Sequence, residues 1–191
     1  MAPAGHRASL GRGARERILA AAAQLFARQG FNATGINELH RTARVSKRTL
    51  YQHFDSKDDL IIAYVAEYGR TGPTAAVLGR ADLTPRTRLL ELFTALADPG
   101  TVVPDAILAA AAEFPDREHR VHVAVSARAQ LFSDRLADLA RAAAARDPER
   151  TARRLVTLYE GACCRLLMED VAMVVADVYL MATAILRDAI D

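Results

Sequence analysis

Residues 46–54, SKRTLYQHF, constrain the fold most strongly, because they place an apolar and a cationic face on one short helix. Ser46 is a favourable N-cap, and Leu50 and Phe54 lie four residues apart, as the apolar face of a helix requires. The other side chains carry hydrogen-bonding groups that can reach phosphates and base edges in a major groove: Lys47, Arg48, Thr49, Tyr51, Gln52 and His53. The pattern predicts a DNA-reading helix.

Two helices are predicted before this segment. Residues 14–29 carry apolar side chains at helical spacing, and Gly30 follows as a C-terminal stop. Thr34 is predicted to cap a second helix over residues 35–42, whose first amides can face a phosphate. A tight turn at 43–45 leads into the reading helix, so the sequence predicts a helix-turn-helix with the reading helix second.

The rest of the chain repeats helix start signals and carries no strand pattern. Ser56 with Asp59 resembles a capping box, and two Thr-Pro or Asp-Pro pairs, at 84–85 and 147–148, combine an N-cap with a first-turn proline. Further helices are predicted over residues 56–71, 84–97, 106–114, 117–145, 147–167 and 171–190. We predict an all-α chain of about nine helices, with an N-terminal three-helix helix-turn-helix head and a C-terminal helical body.

The charge distribution separates head from body. Residues 1–60 hold ten Lys and Arg against five Asp and Glu, whereas the remainder holds fifteen against eighteen. A basic head on a mildly acidic body is typical of a protein that binds a polyanion through its head. We predict a disordered basic arm at 1–13, a DNA-binding domain at 14–57 and a ligand-binding and dimerisation domain at 58–191.

The cysteines and the longest apolar run predict the compartment. Cys163 and Cys164 are adjacent, which fits a disulfide poorly and favours a reducing cytoplasm. Residues 171–186 are nearly all apolar, but Asp177 leaves runs too short to span a bilayer. We expect a buried helix there, no membrane association and a cytoplasmic protein.

Fourteen positions between residues 30 and 60 form a pattern in order and spacing: Gly30, Phe31, Thr34, Val45, Ser46, Lys47, Thr49, Leu50, Tyr51, His53, Phe54, Ser56, Lys57 and Leu60. This string resembles the head motif of the TetR/AcrR family of bacterial transcriptional regulators. Over residues 84–191 the resemblance is one of layout, in the helix order and in the turn at 113–116. The head is therefore the specific part of the match.

The resemblance implies a homodimer whose heads bind successive major grooves of an operator, with a small-molecule pocket in each body that sets head separation. It implies DNA phosphate contacts from Tyr51, His53 and Lys57. It implies contacts to phosphates or base edges from Ser46, Lys47 and Thr49, with Thr34 at the start of the second helix. Our candidates for base reading are Arg48 and Gln52, because Arg pairs with guanine and Gln with adenine.

The last helix supports the dimer on physical grounds. Residues 171–186 are apolar around most of the helix circumference, so a second face needs a partner helix. We infer that the last two helices pair across a two-fold axis as a four-helix bundle.

Three positions depart from the family pattern. Arg44 and Arg48 stand where the family commonly has glycine, and His40 replaces a small alanine that faces the reading helix. A left-handed conformation at Arg44 would cost about 1 kcal/mol relative to glycine. His40 is expected to separate the two helices slightly and to change the docking angle.

Polar and aromatic side chains on the body helices are candidates for an apolar ligand cavity: Phe93, Phe114, His122, Arg128, Phe132 and Tyr159. Packing in the core is the competing interpretation for most of them. His119 and His122 have a chelating spacing, but without a third ligand we expect no metal site. We expect no cofactor and no enzymatic activity.

These patterns favour a ligand-responsive DNA-binding regulator, a repressor that a small molecule releases from its operator. Two alternatives remain. One, within the same class of binding proteins, is an activator or a regulator without an inducer, whose core is filled. The other is a redox-sensing regulator that uses Cys163 or Cys164, although only Arg165 nearby would lower a thiol pKa.

Overall fold

The computed structural model describes the backbone of residues 5–98 and 106–190, and the side chains of 13–98 and 107–190. Every regular element in these ranges is helical, which confirms the all-α class. The elements are α1 (Gly5–Gln29), α2 (Ile36–Thr42), α3 (Lys47–His53), α4 (Lys57–Thr71), α5 (Pro73–Leu78), α6 (Pro85–Thr94), α7 (Ala106–Glu113), α8 (Arg120–Ala142), α9 (Pro148–Arg165) and α10 (Val171–Ile190). A short 3-10 helix, Ala95–Ala97, extends α6.

The helix boundaries differ from the prediction in three places. Helix α1 begins at Gly5, so residues 5–13, expected to be a disordered arm, are helical, whereas residues 1–4 lie outside the described part. Helix α5 is additional, because Pro73 occupies a first-turn position where no amide donor is needed and so starts a helix as well as ending one. Helix α8 is shorter than the predicted 117–145.

Three predicted helix starts are confirmed. The side chains of Ser46, Thr84 and Asp147 each accept a hydrogen bond from the backbone amide three residues later, at 2.9, 3.2 and 2.9 Å. These amides are first-turn donors that have no acceptor inside their own helix. Each cap therefore sets the position at which its helix begins.

The chain divides into two compact units. The first comprises Met1–Ala66 and Ala109–Val125, and the second comprises Glu67–Leu108 and Ser126–Asp191. The boundary passes through α4, α7 and α8, so the end of α7 and the start of α8 belong with the N-terminal helices. The predicted domains each form one continuous segment that meets the other near residue 58, whereas each of these compact units comprises two segments.

The first unit is built around an aromatic cluster. The Phe26 ring lies 4.6 Å from that of Phe31 and 5.3 Å from that of Tyr64, measured between centroids. Phe114, from the segment after α7, lies 6.4 Å from Phe31 in an edge-on arrangement. Helices α1, α2 and α3 pack on one another beside this cluster, so α3 is fixed on a rigid base.

The second unit has a core made by α6, α8, α9 and α10. Helices α9 and α10 run antiparallel, since the Arg154 guanidinium pairs with Asp188 near the end of α10 at 3.1 Å. Helix α10 buries one face, including Val178 and Leu186, but leaves Leu180 67 % exposed. The helix expected to be buried is therefore buried on one side only within this chain.

The turn between α2 and α3 is closed by Arg44 in a left-handed conformation, with φ of 53°. The amide of Val45 donates to the carbonyl of His40 at 3.0 Å, and the amide of Arg44 donates to that of Arg41 at 3.1 Å. This pair of bonds is the Schellman motif, which usually takes glycine at the left-handed position. The expected strain at Arg44 is therefore present.

Replacing Arg44 by glycine should raise the free energy of unfolding by about 1 kcal/mol, because glycine adopts a positive φ without steric cost. Chemical denaturation of both proteins measures the difference. The matched control is Ala43→Gly, one residue earlier at φ of −70°, where glycine should destabilise the protein. A lower stability for Arg44→Gly would contradict the strain.

Candidate DNA-binding surface

Helix α3 presents a polar face to solvent and an apolar face to the first unit. Leu50 is fully buried and Phe54 nearly so, as their spacing predicted. Tyr51 is 42 % exposed, although a tyrosine usually packs at least one side of its ring. The polar side chains beside it are exposed at Ser46, Lys47, Arg48 and Gln52 and half-buried at Thr49 and His53.

The start of α3 is organised by Ser46 and Thr49. Their hydroxyls lie 2.8 Å apart, and the Ser46 hydroxyl also accepts from the Thr49 amide. These two hydrogen bonds therefore fix the first turn of α3. They also keep the exposed Ser46 hydroxyl beside the backbone amides at the start of the helix. Such a helix start attracts an anion.

Helix α1 supports α2 and α3 with two arginines. The Arg17 guanidinium donates to the carbonyl of Ala43 at 3.3 Å, which ties α1 to the turn. The Arg15 guanidinium lies 5.5 Å from the centroid of the Phe54 ring, a cation–π contact at the end of α3. These contacts give α3 a fixed orientation on its base.

Thr34 does not have the position predicted for it. The N-cap of α2 is Gly35, which makes no side-chain cap bond. Thr34 is fully buried, and its hydroxyl donates to the carbonyl of Gly30 at 2.7 Å and accepts from Gln29 at 3.3 Å. The predicted cap is wrong because the turn after α1 uses this hydroxyl, and burial keeps Thr34 from reaching DNA.

Lys57 lies half-buried at the start of α4. Its ammonium donates to the carbonyl of Asn32 at 3.1 Å. Burial lowers the pKa of Lys57, while the nearby charges of Glu113 and Asp58 act in the opposite direction. An ammonium has three donors, so this bond leaves two that can face a phosphate.

Glu113, at the end of α7, forms a clamp on the turn after α1. One carboxylate oxygen accepts from the Phe31 amide at 2.8 Å, and the other accepts from the Asn32 amide at 2.6 Å. The Asn32 side chain donates in return to the Glu113 carbonyl at 3.2 Å. The sequence did not predict this role for Glu113, although the turn that begins at Glu113 resembles the family layout.

Arg120, the first residue of α8, and His119 before it contact the first turn of α4. Arg120 pairs with Asp59 at 2.6 Å, and the His119 ring lies 3.5 Å from Asp58. Hydrogen bonds from Ser56 and Arg120 hold the pKa of Asp59 below its usual value. Ser56 and Asp59 also form the predicted capping box, since the Asp59 amide donates to the Ser56 hydroxyl at 3.1 Å.

The predicted ligand-binding residues separate into two groups. Arg128, Phe132 and Tyr159 line one cavity of about 20 Å³ in the second unit, where the Arg128 guanidinium donates to the carbonyl of Gly69 at 2.6 Å. Phe93 is fully buried beside Tyr159, at 6.4 Å between ring centroids. Phe114 and His122 instead belong to the first unit, where His122 Nδ1 lies 2.7 Å from the Phe114 carbonyl.

Cys164 is exposed on α9, and Cys163 is half-buried. Within the part of the chain that the structure describes, no three His, Cys, Asp or Glu side chains converge in a way that could hold a metal ion. No helix among the described residues is long and apolar enough to cross a membrane.

This geometry defines a helix-turn-helix DNA-binding protein. A family model described as bacterial regulatory proteins, tetR family, matches residues 18–64. The crystal structure of a TetR-family transcriptional regulator from Streptomyces coelicolor is 31 % identical, with a TM-score of 0.83, over 94 % of this chain and 97 % of that one. The chain therefore belongs to the TetR family of bacterial transcriptional regulators.

Curated relatives match over shorter segments. An uncharacterised HTH-type transcriptional regulator of Mycobacterium tuberculosis is 38 % identical over 82 residues, which are 42 % of this chain and 41 % of the relative. The HTH-type transcriptional activator FasR of Mycolicibacterium smegmatis is 41 % identical over 54 residues, 28 % of this chain and 25 % of FasR. The matched segment thus spans about two-fifths of the length of the Mycobacterium tuberculosis relative and about one quarter of the length of FasR.

Proposed function

We propose that this protein is a cytoplasmic homodimeric repressor that reads an operator with α3 and is released from it by a small molecule. The observation that carries the proposal is the exposed polar face of α3, opposite a fully buried Leu50. Tyr51 is exposed beside Lys47 and Arg48, and its hydroxyl is a donor that can reach a DNA phosphate. Family membership supports the same reading.

The proposed contact set follows from accessibility. Lys47, Tyr51 and His53 contact phosphates, and Ser46, Thr49 and Lys57 hold the helix start against the backbone of the operator. Arg48 and Gln52 read base edges from the exposed face of α3. Thr34 is not in the set, because its side chain is buried.

Replacing Lys47 by alanine should weaken binding to specific and random DNA alike. The slope of log affinity against log salt concentration should become shallower by about one, the loss of one phosphate contact. The reason is that an ammonium releases a counterion from the phosphate backbone without reading sequence. Fluorescence anisotropy titrations at several salt concentrations measure the slope. Arg135→Ala, which removes an exposed arginine of α8, is the control and should leave the slope unchanged.

Replacing Gln52 by alanine should instead relax the preference at one base position, at a cost of about 1 to 3 kcal/mol for the preferred base. A library of operators with single substitutions, bound in competition, measures this effect. Equal losses at all positions would assign Gln52 to the backbone rather than to a base.

The proposed dimer forms through α9 and α10. Three large apolar side chains on α10 support it, since Met173, Leu180 and Met181 are 62, 67 and 55 % exposed in the single chain. Exposed apolar groups at such density mark an interface. The two heads of this dimer would lie roughly 34 Å apart on successive major grooves.

The proposed ligand site is the cavity lined by Arg128, Phe132 and Tyr159. Its volume of about 20 Å³ holds on the order of one water, so a ligand has to select an opened form of the second unit. Ala129 also lines the cavity. The variant Ala129→Leu, which fills the space, should retain operator binding and lose release by the ligand.

The deciding experiment is anisotropy with DNA that flanks the gene of this protein, in moderate salt with excess random competitor. Tight binding by the wild type and its loss in Tyr51→Ala would support operator reading by α3. Equal binding by both proteins would reject this role of α3. In vitro transcription from the same DNA then tests whether the protein represses or activates. Activation would contradict the proposed repressor but not the proposed role of α3 in operator binding.

A further inference from the structure

The outer side of α9 and α10 forms an open groove of about 840 Å³. Its lining combines apolar side chains, such as Leu158 and Met181, with four charged ones, Arg153, Arg154, Arg165 and Asp177. The groove runs along the surface already proposed as the dimer interface. Its charges determine how a second copy can fit.

Gly161 indicates that a helix from another molecule packs against this groove. It lies inside α9, where glycine costs about 1 kcal/mol relative to alanine. A Cβ added at Gly161 would meet no atom of the described residues within 4 Å, so none of them requires the absence of a side chain there. Close approach of a partner helix supplies the missing reason, because small residues allow helix backbones to come together.

Two of the groove arginines are already neutralised within the chain. Arg154 pairs with Asp188 at 3.1 Å, and Arg165 pairs with Glu169 at 2.6 Å. Among the described residues, neither Arg153 nor Asp177 has an ion-pair or hydrogen-bond partner for its side chain, and both are exposed. The groove therefore holds one unused positive charge and one unused negative charge.

The antiparallel arrangement of α9 and α10 separates these two charges along the groove. Arg154 is level with Asp188 near the end of α10, whereas Asp177 lies in its first half, closer to the connection with α9. Asp177 lies about three helical turns before Asp188, so the levels of Arg153 and Asp177 differ by on the order of 18 Å. The midpoint between these two levels lies near residues 159 and 183.

We infer that the second copy docks with its two-fold axis at this midpoint, so that Arg153 of each copy pairs with Asp177 of the other. The inference rests on the proposed dimer and adds its register. A two-fold rotation about this midpoint places Arg153 of one copy at the level of Asp177 of the other, and the reverse. The same pairing is therefore made twice in this isologous interface. The apolar lining supplies the contact area, and the two ion pairs select a second copy of this chain as the partner.

Charge reversal tests the pairing in the full-length protein. Arg153→Glu alone and Asp177→Arg alone each place two like-charge contacts at the interface and should weaken dimerisation about ten- to a hundredfold. The double variant Arg153→Glu with Asp177→Arg should recover, because the pair is restored with reversed signs. An equimolar mixture of the two single variants should form heterodimers, since both pairs are then attractive.

Analytical ultracentrifugation at low salt measures the dissociation constants, with Arg135→Glu as the control for an equal change of net charge on a helix outside the groove. Unchanged dimerisation in both single variants would overturn the register and leave the proposed dimer intact. Weakening without recovery in the double variant or the mixture would also overturn it. A monomeric wild type would overturn the proposed dimer and this inference together.

Discussion

Replacing Glu113 by alanine should lower the free energy of unfolding of the first unit by about 2 to 3 kcal/mol. The carboxylate accepts from the amides of Phe31 and Asn32 at 2.8 and 2.6 Å, and both bonds are charge-assisted. Its loss leaves the partly buried Phe31 amide without an acceptor. Chemical denaturation followed by circular dichroism measures the change.

Two variants show whether the clamp or the charge is responsible. Glu118→Ala removes a nearby carboxylate that makes no clamp, so its stability should stay close to the wild type. Glu113→Gln keeps one acceptor oxygen and turns an NH₂ group towards the other amide, so it should lose at least half as much as the alanine variant. A Glu113→Ala protein as stable as Glu118→Ala would contradict the clamp.

The clamp also predicts an effect on DNA binding. The turn that Glu113 holds leads directly into α2, and α2 with Arg44 positions α3. A looser turn lets the reading helix sample orientations that do not fit the operator, so affinity should fall without a change in the salt slope. Lys47→Ala, by contrast, changes the slope itself.

Local signals explain what the sequence predicted well. The caps at Ser46, Thr84 and Asp147 depend only on a side chain and an amide three residues away, and all three occur in the structure. The polar face of α3 likewise follows from the four-residue spacing of Leu50 and Phe54. Such features need no knowledge of the tertiary fold.

Tertiary contacts explain what the sequence did not predict. Glu113 reaches across about eighty residues of sequence to Phe31, and no local pattern signals such a pair. Thr34 looked like a cap, but its hydroxyl is taken by the carbonyl of Gly30. Leu131 on α8 is apolar but 61 % exposed, whereas Phe132 beside it packs against the core of the second unit.

The residues predicted to bind a ligand also show that sequence spacing does not predict tertiary contacts. Six side chains satisfied the sequence criterion of aromatic or cationic groups on body helices, but only Arg128, Phe132 and Tyr159 line one cavity. Phe114 and His122 belong to the other compact unit because the turn after α7 belongs with the head. The spacing of apolar residues along a helix identifies its buried face. It does not identify which other helix packs against that face.

Replacing Gly30 by alanine should cost about 2 to 3 kcal/mol, because two separate penalties apply. Gly30 has φ of 82°, a conformation that alanine adopts at a cost of about 1 kcal/mol. In addition, an added Cβ would lie 2.6 Å from a carboxylate oxygen of Glu113, so the clamp has to shift and its hydrogen bonds weaken. Gly13→Ala in α1, where the Cβ meets only Arg17 at 3.6 Å, is the control and should cause no loss.

The two large effects are coupled, and a double-mutant cycle separates them. In a Glu113→Ala background the clash at Gly30 is gone, so Gly30→Ala should cost only the backbone penalty of about 1 kcal/mol. Denaturation of the wild type, both single variants and the double variant gives an interaction energy of about 1 to 2 kcal/mol if the clamp is correct. Strict additivity would mean that Gly30→Ala does not act through a clash with Glu113, whatever stability the Glu113→Ala variant loses alone.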